Sequence, residues 1–244
     1  MTAIIVRPLK FTVTASSGWV AANPVTNTNI DHPGLVAKST GTTATFTVNL
    51  GSSQTIDTVA LVGSTLPAGA TVSVSAGSYS SGNVAAYTGT KDDATTTKTI
   101  LQFTAVTTNA ITVSITAPAA FQFQRLVIGK RVETDGIDQN CEQSFDDQSV
   151  IESGPGYTTV EEFAVLTAWR VKMSWIDDTK WRNEFFPLFN RVGASRPVLF
   201  IPIADQPARF QHEAVFGRMT GIAKGEHTNS NNWVVSFTIT GLAP

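Results

Sequence analysis

DDTKWRNEFFPLFNRVGASRPVLFIPI, residues 177–203, carries the one amphipathic helix pattern in this chain of 244 residues. Asp178 or Thr179 is placed to cap it, since a side-chain oxygen there accepts from an otherwise unpaired first-turn N–H. Trp181, Phe185, Leu188, Phe189 and Val192 recur at spacings of 4, 3, 1 and 3, which puts them on one helical face. Gly193 follows as a C-terminal stop. Pro187 removes one backbone hydrogen bond and crowds the preceding turn, so the helix expected over about 178–192 is kinked or in two pieces. The apolar run Pro197–Ile203 then reads as a buried strand. A single aromatic-faced helix among many strands is expected to cover a β-sheet.

Working outward, the composition bounds the class. Hydrophobic residues make up 42 % and the net charge is −2, which fits a globular chain and gives no reason to expect a nucleic-acid or membrane partner. No apolar run is long enough to span a bilayer, and the first residues lack the pattern of a secretory leader. Cys141 is the single cysteine, so no internal disulfide is expected. With no acid–base partner beside it, it reads as a reduced structural residue.

Charge is unevenly spread. Residues 1–129 hold six Lys/Arg and four Asp/Glu against 25 Thr and 12 Ser, whereas residues 130–244 hold 11 Lys/Arg and 15 Asp/Glu. A step this sharp, at Gly129-Lys130-Arg131, predicts a boundary between a domain 1–129 and a domain 130–244.

The first of these is strand after short strand. The runs 11–15, 44–50, 55–62, 70–75, 99–103, 110–115 and 121–128 alternate apolar with small polar residues, so one face meets a core and the other water. Gly, Pro and Asn stand between them, at Asn23-Pro24, Gly51-Ser52, Pro67, Gly69, Gly77 and Gly82-Asn83. The fold class expected is mainly β, with an N-terminal antiparallel sandwich.

Three runs carry a family likeness: Ala44-Thr-Phe-Thr-Val-Asn-Leu-Gly51, Ile56-Asp-Thr-Val-Ala-Leu-Val-Gly63 and the closing Phe123-Gln-Arg-Leu-Val-Ile-Gly129. With Trp19 and a long loop before them, they resemble a discoidin-like domain, the galactose-binding-like jelly roll. The resemblance covers about half the chain and implies a jelly-roll sandwich. Members of that family bind sugars or lipid head groups through loops at one end, and others only pack against proteins. The ligand set it implies is an aromatic platform flanked by polar residues, here Trp19, Asn23, Asn27, Asn29, Asp31 and His32 on one loop. The plain alternative keeps Trp19 in the core and uses the Asn and Asp residues to shape turns.

The second half opens with a polar, acidic segment, 130–162, holding a short strand near Ser149–Glu152 and a turn at Gly154-Pro155-Gly156. It is long for a connection. Phe163–Trp175 reads as one strand, with Trp169, Val171, Met173 and Trp175 on its apolar face and Arg170 and Lys172 on the other. Gly217, inside the strand 213–223, predicts a bulge or a close backbone approach. Trp233, Val235, Phe237 and Ile239 share a face of the last strand. The unit expected is a β-sandwich or barrel with one flanking α-helix. Through Gly193-Ala-Ser-Arg-Pro-Val-Leu-Phe-Ile-Pro202, Ala214-Val-Phe-Gly-Arg-Met219 and Trp233-x-Val-x-Phe-x-Ile239 it resembles the tail-tube and distal-tail proteins of long-tailed bacteriophages.

That second resemblance covers about a third of the chain. With a discoidin-like module attached, it implies a structural protein of a siphophage tail tip, a distal-tail or adaptor ring joining the tail tube to the receptor-binding apparatus. Its partners would be copies of itself, the tail tube, hub and fibres, and a host-surface glycan, and its place the virion. The alternative is a carbohydrate-binding or receptor-binding module. An enzyme ranks last: no phosphate loop, zinc motif, nucleophile elbow or cysteine pair is present. No cofactor or metal is expected, because the three histidines are isolated and the acidic spacing is not that of a calcium loop. Ring contacts are expected from the acidic residues Asp135, Asp138, Asp146 and Asp147 on one copy and Arg170 and Lys172 on the next.

Overall fold

The computed structural model describes residues 2–32, 34–86, 97–229 and 231–242. In chain order its strands are β1 (Ala3–Val6), β2 (Thr12–Ser17), β3 (Ala37–Lys38), β4 (Thr43–Ser64), β5 (Thr71–Ala76), β6 (Tyr79–Ser80), β7 (Val84–Ala85), β8 (Thr97–Thr116) and β9 (Gln122–Phe123). There follow β10 (Arg125–Gly129), β11 (Arg131–Thr134), β12 (Glu142–Asp147), β13 (Val150–Gly154), β14 (Tyr157–Glu161), β15 (Val165–Asp177), β16 (Pro197–Ile201), β17 (Val215–Asn229) and β18 (Asn232–Gly241). The protein is mainly β and antiparallel. Its contacts divide into unit 1, Met1–Glu133 with Leu199–Ala214, and unit 2, Thr134–Val198 with Val215–Pro244. Composition carries no sign that Leu199–Ala214 goes with unit 1. The link is backbone pairing, with Ile4, Ile5 and Val6 opposite Ile201, Phe200 and Leu199.

Unit 1 is organised by two long strands. The runs 44–50 and 55–62, expected as separate strands, are parts of β4, and 99–103 and 110–115 are parts of β8. The reason is that β4 and β8 pair along nearly their whole length, so Gly51, at φ +80°, is absorbed as a register break between Asn49 and Gln54 instead of a turn. β2 joins one end of β4, β10 the other, and β5 lies beyond β8. Phe46, Val48, Ile111 and Val113 from one end share a core with Val59, Leu61, Leu126 and Ile128 from the other. The threonines explain themselves on the outer face: Thr47 meets Thr112 at 2.9 Å and Thr55 meets Thr107 at 3.1 Å, hydroxyl to hydroxyl across the strands. Such cross-strand pairs each add a few tenths of a kcal/mol, roughly 0.2–1.

In unit 2 the strands run β17-β18-β15-β12. The helical segment has three pieces: α1 (Asp178–Lys180), a π-helical turn (Trp181–Phe185) and α2 (Phe186–Val192), with Pro187 in the first turn of α2. The widened turn sits next to Pro187 because that residue supplies no N–H to continue the α-helical ladder. The cap is Asp177, not Asp178 or Thr179: its carboxylate accepts from Lys180 N at 2.8 Å. Asp178 instead accepts from Trp233 Nε1 at 2.9 Å and Arg182 Nε at 2.7 Å. Phe185, Leu188 and Val192 are buried, and Trp181 stacks on Trp233 with centroids 4.7 Å apart. A Cβ at Gly225 would lie 2.1 Å from the Trp181 ring, so glycine there lets the indole lie down on the sheet. At Gly217 a Cβ would meet Thr240 O at 2.1 Å, the close backbone approach that an interior glycine predicts.

One expectation fails in β15, and one strand before it was not foreseen. Strict alternation groups Trp175 with Trp169, Val171 and Met173. A bulge between Met173 and Ile176 shifts the register, so Ile176 takes the buried position, and Trp175 stands 80 % exposed at φ +64°. The acidic segment is also more structured than a connection. β12 pairs antiparallel with β15, Glu142 opposite Arg170 and Asp147 opposite Val165.

Candidate functional site

The first candidate is the loop 19–32 of unit 1. Trp19 is a part-buried lid on the core, edge-on to Phe46, Phe121 and Phe123, and its Nε1 donates to Thr45 O at 3.2 Å. These contacts tie its ring into the core of the sandwich. Asn27 Nδ2 donates to Val36 O at 2.9 Å and Asn29 Nδ2 to Phe11 O at 2.6 Å. Asn23 exchanges backbone hydrogen bonds with Val20 and Lys38. A short 3-10 turn, Val25–Asn29, shapes the loop, and Thr28 is buried inside it. Asp31 lies 2.8 Å from Arg125 Nε. His32 is exposed, its Nδ1 accepting from Gly34 N at 3.1 Å.

Arg125, which sequence spacing did not mark as a site residue, is the hub of this loop. It stands at the start of β10, 7 % exposed, donates to Thr28 O at 2.6 Å and lies 6.0 Å over the Phe11 ring. Burial pulls its guanidinium below the usual pKa, and the Asp31 carboxylate works in the other direction. A buried cation holding a loop carbonyl and a loop carboxylate closes the loop onto the sandwich. The side-chain amides of Asn27 and Asn29 and the cation are thus engaged inward, while Asp31 is part-exposed and His32 exposed. Elsewhere in unit 1 Lys98 is equally inward. Its Nζ donates to Gln211 O at 3.0 Å, Gln211 Nε2 returns a hydrogen bond to Lys98 O at 2.8 Å, and burial lowers its ammonium to about 8.

The second candidate is in unit 2 and has two parts. β13 and β14 form a hairpin arm closed at Gly154-Pro155-Gly156, with Ile151 opposite Val160 and Gly154 opposite Tyr157. Ile151 is 67 % exposed, Tyr157 60 % and Val160 55 %. Phe145, Phe163 and Val165 beside the arm are exposed as well. The other part is the outward face of the sheet. Arg170 lies opposite Thr238, Lys172 opposite Ser236, and Lys224 opposite Ser236 from the other side. With Thr220 and Glu226 they line a groove of about 540 Å³.

The six residues expected at ring contacts are only partly brought together. Arg170 and Lys172 share the groove, while Asp146 and Asp147 lie opposite Leu166 and Val165 further along β15. Asp138 is engaged within unit 2, accepting from Ser174 N at 3.0 Å and Ser174 Oγ at 2.6 Å. Asp147 accepts from Ser149, which holds its carboxyl below the ordinary range. Asp135 is exposed. Spacing gave the short strand near Ser149–Glu152 and the turn at Gly154-Pro155-Gly156 but not the returning strand Tyr157–Glu161 or the place of Lys224, because these depend on which strands pair. Among the described residues no group of three His, Cys, Asp or Glu side chains is placed to hold a metal ion, and no helix is long and apolar enough to cross a membrane.

The chain matches no protein-family model. No curated protein matches it either. Solved structures do align, over about half of it. A chitosan-binding module from a chitosanase/glucanase of Paenibacillus sp. IK-5 is 23 % identical, with 50 % of this chain and 96 % of that one covered at a TM-score of 0.37. The family 32 carbohydrate-binding module of C. perfringens NanJ, solved with galactose, is 9 % identical over 51 % and 98 %, with a TM-score of 0.39. XRCC1, solved bound to the DNA polymerase β catalytic domain, is 9 % identical over 52 % and 98 %, again at 0.39. Two of these three are carbohydrate-binding modules, and the third was solved bound to another protein.

Proposed function

We propose that the chain is a structural protein that assembles with copies of itself. Unit 2 makes the contacts and the sandwich is carried as a module, the two parts folding separately. The observation that supports this is the arm. An isolated two-stranded hairpin is marginal in water, and this one exposes Ile151, Tyr157 and Val160 on a single chain. Apolar surface of that kind marks a protein contact. The finer reading is a distal-tail or adaptor ring in a siphophage tail tip. It rests on the sequence resemblance of 193–202, 214–219 and 233–239, and the solved structures above lend it no support. No catalytic step is assigned. Light scattering on the full chain across a concentration series tests the assembly reading, expecting a multimer. A monomer at every concentration removes it. Labelling of a tail tip by an antibody to the chain tests the finer reading.

The second reading is a carbohydrate-binding or receptor-binding module. One feature favours it: Asp31 and the exposed His32 stand together at the rim of the sandwich loop. A glycan array with the full chain decides it. Binding that is lost in Asp31→Ala and His32→Ala supports this reading, and a blank array removes it.

A further inference from the structure

We propose that the arm of one copy seats in the basic groove of a second copy, head to tail. This rests on the assembly reading and names its contact. The hairpin has two faces, since cross-strand pairs alternate. Ile151, Val160, Ser153 and Thr158 share one, and Val150, Glu161, Glu152, Thr159 and Tyr157 share the other. The second face presents two carboxylates between an aliphatic and an aromatic side chain. The stretch around it is strongly one-signed: residues 132–169 hold nine Asp/Glu and no Lys or Arg.

The groove has the complementary character. Lys172 and Lys224 flank Ser236, Arg170 flanks Thr238, and Arg218 continues the same exposed face opposite Thr240. Against these four cations stand Glu142 and Glu226. On the floor between them, Ser236 and Thr238 of β18 carry short hydroxyl side chains. The arm does not occupy the groove of its own chain, because every residue from Val150 to Ser153 and from Tyr157 to Glu161 is exposed. Opposite charges on two different patches of one chain steer copies together and disfavour arm against arm. A contact between unlike patches propagates and closes into a ring when the rotation permits.

The experiment uses the full chain in sedimentation or light scattering at low and at physiological salt. Lys172→Glu with Lys224→Glu reverses the groove, and Glu152→Lys with Glu161→Lys reverses the arm. All four residues are exposed, so thermal unfolding should be unchanged and serves as the control for folding. Each reversal alone is expected to weaken association by roughly 100-fold. Joining both reversals in one chain, or mixing the two variants, should restore it, because reversed arm then meets reversed groove and native arm meets native groove. Assembly that persists in both single reversals, or folded reversals that the combination does not rescue, overturns the arm-in-groove contact while leaving self-assembly standing. A native chain that stays monomeric overturns the assembly reading itself.

Discussion

The polar loop of unit 1 and the arm of unit 2 both read in sequence as surface segments rich in hydrogen-bonding groups, and the structure uses them in opposite ways. In the loop, Asn27, Asn29, Arg125 and the Trp19 N–H all end on backbone carbonyls of their own unit. In the arm, paired backbone is nearly all the internal support there is, and the large apolar side chains face outward. A polar side chain near a carbonyl is worth most when it closes its own loop, because an unpaired buried carbonyl is costly. An apolar side chain with nothing to pack against is useful only when something else arrives.

The comparison can be broken at its inward side first. Phe185→Ala removes a fully buried ring from the helix cover of unit 2 and is expected to cost about 3–5 kcal/mol. A chemical-denaturation loss under about 1 kcal/mol would mean that the helix face is not core. Arg125→Met should come next, at about 3 kcal/mol, since it leaves Asp31 and the Thr28 carbonyl without their cation. A loop that keeps its protection in hydrogen exchange after this change would show that Arg125 does not hold it.

Lys98→Met sharpens the same point with the opposite sign. An ammonium at about 8 in the folded chain, against 10.5 when free, costs roughly 3 kcal/mol at neutral pH before its hydrogen bond to Gln211 offsets a part. The unfolded chain keeps this proton until 10.5 while the folded chain releases it from about 8. Stability from this group therefore rises with pH across that window and is lowest below it. The variant should gain about 2 kcal/mol at pH 7, and its advantage should fade as pH climbs toward 10.5. An advantage that does not change between pH 7 and that value would show that no buried charge is involved. The smallest stability effect belongs to the outward side: Val150→Ser with Tyr157→Ser, on the face that carries Glu152 and Glu161, should change folding stability by less than about 0.5 kcal/mol and yet abolish multimers in light scattering. Unaltered assembly would show that the arm is an ordinary solvated hairpin.

Much of the fold was legible. Alternation in the Thr-rich runs placed Phe46, Val48, Ile111, Val113 and Leu126 inward, because period two and a core on one face leave no other assignment. The aromatic stripe of the helix, the trouble at Pro187, the stop at Gly193 and the turn at Gly154-Pro155-Gly156 are local chemistry and needed no partner strand. The loop 19–32 was legible as a loop, but the destinations of Asn27 and Asn29 were not. A side-chain amide looks the same in sequence whether it meets a sugar or a carbonyl 9 or 18 residues away.

Sequence by itself determined the β class, the helix that covers the second sheet and the concentration of acid between Arg131 and Arg170, since each follows from residue type at short range. Tertiary structure decided the rest. Two pairs of runs fused into β4 and β8 because long-range pairing outweighed the turn signal at Gly51. One extra residue in β15 turned Trp175 out and Ile176 in, because strand faces alternate and a bulge flips every side chain beyond it. Arg125, a plain cation in a strand, became the hub of a loop nearly a hundred residues earlier in the chain, and Lys224 joined Lys172 across Ser236. These outcomes depend on which strands lie side by side, a choice made by the packing of the whole core and invisible to any window of neighbouring residues.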